Sequence, residues 1–212
     1  MRFELGNIIC LAMGILNILL GIMELFDEHV DFYGSCTCIV CGLVCLIPLL
    51  LRIKGLVKLN LIFIVAIVLA LTFHSLGVLV NGYDVFDDYD TITHTFSSFL
   101  VSLCVWMTLC CYDVYNPNIH LNNRVMMTSI MLIMAGFSIY WEVFEYLLDT
   151  ATGTHSQYSP FDTAKDTVLN MTGSFITVIY SGLIMRKHST EQIVESFELN
   201  PRLKDFISNR KS

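Results

Sequence analysis

Leu59-Asn60-Leu61-Ile62-Phe63-Ile64-Val65-Ala66-Ile67-Val68-Leu69-Ala70-Leu71 decides the fold class. Beyond Asn60 the run is apolar on every side. It lacks both the two-residue alternation of a membrane barrel strand and the wet face of a surface helix. Such a segment belongs in hydrocarbon as a helix, because only a helix satisfies its backbone polar groups within one segment. Crossing takes on the order of 20 apolar residues. Six stretches qualify: about Leu5 to Phe26, Tyr33 to Leu51, Val57 to Val80, Ile92 to Tyr112, Val125 to Leu148 and Thr167 to Met185. The whole chain agrees, being 55% hydrophobic and only 15% charged, with a mean hydropathy of +0.64. A soluble domain carries roughly a quarter charged residues. The expected fold is an all-α, polytopic membrane helix bundle of six transmembrane helices in a lipid bilayer.

The first stretch is expected to be retained as a span. Only Arg2 precedes it, and no small-x-small cleavage pattern follows Met23-Glu24-Leu25-Phe26. With six spans, Arg2, Arg52, Lys54, Lys58, Arg124 and the six basic residues after Met185 share one side, eleven of the twelve. Positive residues stay inside, so both termini are expected to be cytoplasmic. Only Lys165 is opposite. The outer side then gathers Asp27, Glu28, Asp31, Asp84, Asp87, Asp88, Asp90, Asp149, Asp162 and Asp166, and accounts for the net charge of −7. That field favours a cationic ligand and disfavours nucleic acid.

The expected organisation is one transmembrane domain over 1–185 and a basic cytoplasmic tail over 186–212. Ser189 with Gln192 forms a capping-box pattern, and Leu203, Phe206 and Ile207 lie among basic residues, suggesting short amphipathic helices on the inner leaflet. A frayed tail that serves topology alone fits the same residues. All eight cysteines lie in or beside apolar stretches, so a disulfide framework is not expected. Cys38, Cys41 and Cys45 share a helical face that suits metal ligation, although buried cysteine also behaves as a small apolar residue. Gly14, Gly21, Gly136, Gly173 and Gly182 allow close helix contacts. Tyrosines at the span ends and Trp141 suit the headgroup zone. Asn17 and His74 read as satisfied packing contacts within spans.

Three groups of polar residues stand at ends of apolar stretches. Asp90 and His94 are four apart and stack on one helical face, where a carboxylate and an imidazole can share a metal or orient a base. An N-cap and an interfacial histidine fit them as well. Glu142 and Glu145 lie in Tyr140-Trp141-Glu142-Val143-Phe144-Glu145-Tyr146, among bulky apolar side chains, which suits a proton carrier, a general acid or a metal ligand. Snorkelling carboxylates are the structural alternative. Asp162, Asp166 and Asn170 repeat every four residues, with Pro160 placed to start the helix and Asp162 suited to its first turn. Topology brings all three groups to one side of the bilayer. An oxygen-rich set with one histidine favours Mg, Mn or Zn.

These elements resemble those of the uncharacterised YjdF-like membrane proteins and, more distantly, of the VanZ-like family associated with glycopeptide-antibiotic resistance in bacteria. Asp90-Thr91-Ile92-Thr93-His94 is similar to an Asp-x-x-x-His element and Trp141-Glu142-Val143-Phe144-Glu145 to Trp-Glu-x-x-Glu. Asp162-Thr163-Ala164-Lys165-Asp166, with Asn170 and Gly173, is similar to the final element. The resemblance covers about Asp84 to Met185. VanZ-like chains usually carry a basic residue after the first Asp and a Gln ending the second element; Thr91 and Glu145 here favour the YjdF-like side. The resemblance implies a multi-pass protein of a bacterial or archaeal plasma membrane, and no reaction.

The expected role is an outward-facing site of Asp90, His94, Glu142, Glu145, Asp162 and Asp166, with Asn170 in polar support. It binds a divalent cation or a polar headgroup. As an enzyme on a lipid-linked or envelope substrate, it would use His94 or Glu145 as the base. A proton- or cation-coupled transporter is the competing class, which the mostly apolar stretches 101–109 and 176–183 disfavour. A structural or regulatory protein locked by its polar cluster is the third. The chain carries no signal for its oligomeric state or substrate.

Overall fold

The computed structural model describes residues 4–26, 32–86, 88–153 and 159–208, all helix and connecting turns. Asp27, Glu28, His29, Asp31, Asp87, His155 and Tyr158 lie outside the described residues. Six spans are long and apolar enough to cross a membrane. They are α1 (Leu5–Glu24), α2 (Phe32–Cys45) continued by α3 (Ile47–Ile53), α4 (Leu61–Leu79), α6 (Tyr89–Tyr115), α7 (Asn123–Thr152) and α8 (Pro160–Met185). The single-turn α5 (Gly82–Val85) precedes α6, and the tail forms α9 (Thr190–Glu195) and α10 (Pro201–Ile207). The α2–α3 break at Leu46 has a local cause: Pro48 lies in the first turn of α3 and cannot donate to the preceding turn.

Side-chain caps fix the starts of α4, α7 and α8. The side chains of Asn60, Asn122 and Ser159 accept from the backbone N–H groups of Phe63, Val125 and Asp162. Gly153, at φ 74°, ends α7 in the left-handed conformation that glycine adopts without strain. At the site end α6, α7 and α8 overrun the apolar stretches, so Asp90 and Asp162 sit on regular helix, as Glu145 does within its stretch.

Helices α1, α2 and α4 pack together, α6, α7 and α8 form a second group, and α4 against α6 joins the two. The α1–α2 contact is backbone against backbone: a Cβ on Gly42 would come within 2.7 Å of the Gly14 carbonyl oxygen. Gly136 contrasts with this, since a methyl added there would meet nothing within 4 Å, and it makes no close helix contact. Asn17 is fully buried and donates to Thr72 Oγ1 at 3.1 Å while accepting from Ser75, a satisfied polar lock between α1 and α4. His74 exchanges a 2.7 Å hydrogen bond with the Tyr83 hydroxyl, and Tyr89 donates to the Phe73 carbonyl at 2.6 Å. These two tyrosines therefore clasp α4 to the start of α6. All eight cysteines are free thiols.

The first and last described segments lie on one face. Glu4 pairs with Arg52 and lies 3.6 Å from Lys58, which reaches Glu198 at 2.8 Å. The capping box of Ser189 and Gln192 starts α9, whose Ile193 and Val194, with Phe197 beyond it, are buried in a core with Phe63, Leu103, Trp106, Met126 and Ile130. Lys58 N donates to Phe197 O, and Asn200 N to Leu56 O, each at 2.8 Å, stitching the tail to the α3–α4 link. That apolar core fills the termini end of α6, α7 and α8. Toward the opposite face their interior turns polar, with Thr93, Ser98, Ser102, Ser138, Glu142, Asp166, Asn170 and Ser174 all buried.

Candidate functional site

Helices α6 and α8 run parallel, both away from the site face, and α7 runs the opposite way. Their four-residue repeats therefore fall in step: Asp90 beside Asp166, His94 beside Asn170, Ser98 beside Ser174. From His94 to Tyr115 is about 32 Å along the axis, and from Asp166 to Met185 or Asn123 to Glu142 about 28 Å. The hydrocarbon core is about 30 Å thick, so these lengths put the three polar groups near the end of the membrane-crossing segments opposite Glu4 and the tail.

His94 organises the centre. Its Nε2 lies 3.2 Å from Asp90 Oδ1 and 3.8 Å from Asp166 Oδ2, and its Nδ1 lies 3.3 Å from Asn170 Oδ1. Asn170 in turn donates to Ser138 Oγ at 3.1 Å, drawing α7 into the network. One ligand atom each from Asp90, His94 and Asp166 falls within 4.8 Å of the other two. The second oxygen of Asp90 accepts from Lys165 Nζ at 3.2 Å. Asp166 Oδ1 is buried with no hydrogen-bond partner among the described residues. Asp90 is thus an ion-pair residue and not the cap of α6, which falls at Asp88 without a side-chain bond.

The sequence-derived residues divide. Asp90, His94, Asp166 and Asn170 meet. Glu145 accepts from Trp141 Nε1 at 2.7 Å and stays within electrostatic reach of His94 and Asp90. Glu142 is buried on α7 one turn beyond Ser138, the level of Asp166 on the antiparallel α8. Neither glutamate nor Asp162 joins the group of close ligand atoms found among the described residues. Asp162 stands in the first turn of α8, as its spacing suggests, and its backbone N–H donates to the capping Ser159 Oγ at 3.2 Å.

Residues 7–187 match one family model, described as Predicted membrane protein (DUF2238). The chain belongs to this family. No curated protein and no solved structure matches it. The DUF2238 match reaches all six spans and covers every residue of the site.

Sequence reasoning passed over Lys165, Ser138 and a run of buried hydroxyls below the site. Ser98 and Ser102 on α6, and Ser174, Thr177 and Ser181 on α8, extend the polar stripe toward the termini face. The signal was the same four-residue spacing, continued in small residues that a hydropathy average hides. Ser102 donates to Ser174 Oγ at 3.1 Å and Thr177 to the Phe99 carbonyl at 3.2 Å. Ser98 and Ser174 donate back to the carbonyls of His94 and Asn170, at 2.6 and 2.8 Å. These hydroxyls are spent on backbone and on each other.

Proposed function

We propose that this multi-pass membrane protein holds a divalent cation between Asp90, His94 and Asp166, at the outer boundary of the bilayer. One observation carries the reading. His94 Nδ1 lies 3.3 Å from the Asn170 amide oxygen, an acceptor that favours a proton on that nitrogen, and neutral imidazole protonated there leaves Nε2 a lone pair. That lone pair and two carboxylate oxygens converge on one point, with a further buried oxygen of Asp166 lacking a partner. Three electron-pair donors facing one another repel unless a metal cation or a proton stands among them. Two carboxylates and one imidazole suit Mg, Mn or Zn, and three protein ligands leave coordination positions open to a ligand.

The site supports an enzyme better than a transporter. A bound cation polarises a phosphoryl group or activates water. Glu145, outside the ligand group yet near His94, is placed as base, and the boundary depth suits a lipid-linked or envelope substrate. A conduction path finds little support, because the hydroxyls below the site are already bonded and α8 abuts the α6 backbone there. The Asp90, Glu142 and Asp166 elements are also those that carry the YjdF-like and VanZ-like resemblance, which favours the plasma membrane of a bacterium or archaeon. Cytoplasmic termini follow from the positive-inside pattern.

A structural reading also has its own observation. With a proton on Nε2, His94 and Lys165 balance the two aspartates without any metal. The two readings part on metal content. Purified protein incubated with Mg, Mn or Zn and then desalted is expected to retain one equivalent. His94→Ala and Asp166→Asn are expected to lose it while still melting cooperatively. Wild-type protein that retains none of the three metals overturns the cation reading and leaves the helix lock.

A further inference from the structure

Lys165 is the one basic side chain that the sequence places on the site side of the membrane, and it points its ammonium at the site itself. It is held at the mouth. Side-chain exposure falls from 31% at Lys165 through 21% at Asp90 and 11% at His94 to 4% at Asp166, so a ligand arriving from the site face meets Lys165 first.

A divalent ion takes up the charge of both aspartates, which weakens the hold of Asp90 on the ammonium beside its Oδ2. Asp162, a turn earlier on α8, is within electrostatic reach of Lys165. Hard divalent cations bound by one or two carboxylates complete their coordination with waters and with the oxygens of a phosphate ligand. Lysine is a point-charge partner for phosphate.

We propose that Lys165 and the cation held by Asp90, His94 and Asp166 together form a binding site for a phosphate monoester group, with Lys165 as the residue that recognises the anion. The proposal rests on the cation reading above. It assigns Lys165 to ligand binding and not to catalysis or metal ligation. The phosphate can belong to a lipid headgroup or to a free anion, and the shared chemistry is a dianionic phosphoryl group presented at the bilayer boundary.

The test uses the full chain in nanodiscs and reads Mn binding and phosphate binding separately. Mn is titrated first. Inorganic phosphate is then titrated into the Mn-loaded protein in phosphatidylcholine discs, and phosphatidic acid is supplied in a parallel set. Wild-type protein is expected to bind phosphate only when Mn is present. Lys165→Met is expected to bind Mn at least as tightly, having lost a competing cation, and to bind phosphate about tenfold or more weakly. Lys165→Arg is expected to recover most of that loss. Binding of phosphatidic acid without binding of inorganic phosphate assigns the lipid source, and the converse assigns the free anion. Mn-loaded protein that binds neither, or binds them equally with Lys165→Met, overturns the phosphate proposal and leaves the cation site standing. Protein that binds no Mn overturns both.

Discussion

Gly173 of α8 lies directly against the Thr95 carbonyl of α6, so close that no Cβ can be added without moving one of the two backbones. The same Cβ would stand 2.9 Å from Phe99 N and collide with Ser98 Oγ. This contact sets the separation of α6 and α8 one turn below the site, and so the spacing of Asp90 and His94 from Asp166.

Gly173→Ala is therefore expected to destabilise the bundle by about 1 to 3 kcal/mol, the usual range for overpacking against a partner that cannot rotate away. It is also expected to weaken cation binding. Gly136→Ala is the matched control, since nothing lies within 4 Å of its added methyl. It is expected to be neutral or stabilising by up to about 1 kcal/mol through helix propensity. Unfolding midpoints in one detergent measure both. Equal effects would mean that the α6–α8 contact does not set the site.

The spans were legible because hydrocarbon demands long apolar helices, and the four-residue spacings of Asp90 with His94 and of Asp166 with Asn170 gave their levels along α6 and α8. Spacing within one helix cannot say which face meets a neighbour. Lys165 read as a lone charge on the acidic side because its partner, Asp90, is on another helix, 75 positions away. Ser138 was indistinguishable from any serine in a span until Asn170 reached it. Glu142 and Glu145 stand three apart on one helix, yet the first is buried and the second bonds Trp141. Phe197 was hidden for another reason, because a single aromatic residue in a short amphipathic pattern does not reveal whether it meets lipid or protein.

Phe197 is only 1% exposed and meets the Phe63 ring edge-on, with centroids 5.4 Å apart. Phe197→Ala is expected to cost about 3 to 5 kcal/mol locally. It should free the tail before it unfolds the spans. Limited trypsin digestion reads this through faster cleavage at Arg202 and Lys204, with the membrane domain intact. An unchanged digestion rate would show that the backbone pairing of Lys58 with Phe197 and of Leu56 with Asn200 holds the tail unaided.

The hydrogen bond from Arg52 holds the Glu4 carboxyl well below its ordinary 4.5, at about 2. A carboxylate whose folded pKa is depressed contributes stability that is present above the unfolded value and is lost as pH falls through the folded one. The contribution is therefore complete above about pH 4.5 and gone below about 2. Glu4 is at the surface, so the effect is expected to be small and to shrink in salt. Glu4→Gln should flatten that part of the curve of melting temperature against pH, and Arg52→Gln should flatten it equally. Curves that stay parallel to wild type would remove this pair from the account.

Asn170 touches no cation in the proposed site, yet it decides which nitrogen of His94 can. Its amide oxygen, 3.3 Å from Nδ1, fixes the tautomer that turns the Nε2 lone pair toward Asp90 and Asp166, and its amide nitrogen is itself oriented by Ser138. Partners of this kind, one shell behind a metal ligand, are typically worth about 10 to 100-fold in metal affinity. Asn170→Ala is expected to lower Mn affinity by that factor while leaving stoichiometry at saturation unchanged. Asn170→Asp keeps an acceptor at the same place and is expected to retain affinity. Ser138→Ala removes only the support of the support and should fall between wild type and Asn170→Ala. Mn titrations of the four proteins at one pH order them directly. If alanine and aspartate at position 170 bind Mn equally well, acceptance from His94 Nδ1 is not what orients the imidazole, and Asn170 is reduced to a packing contact among α6, α7 and α8.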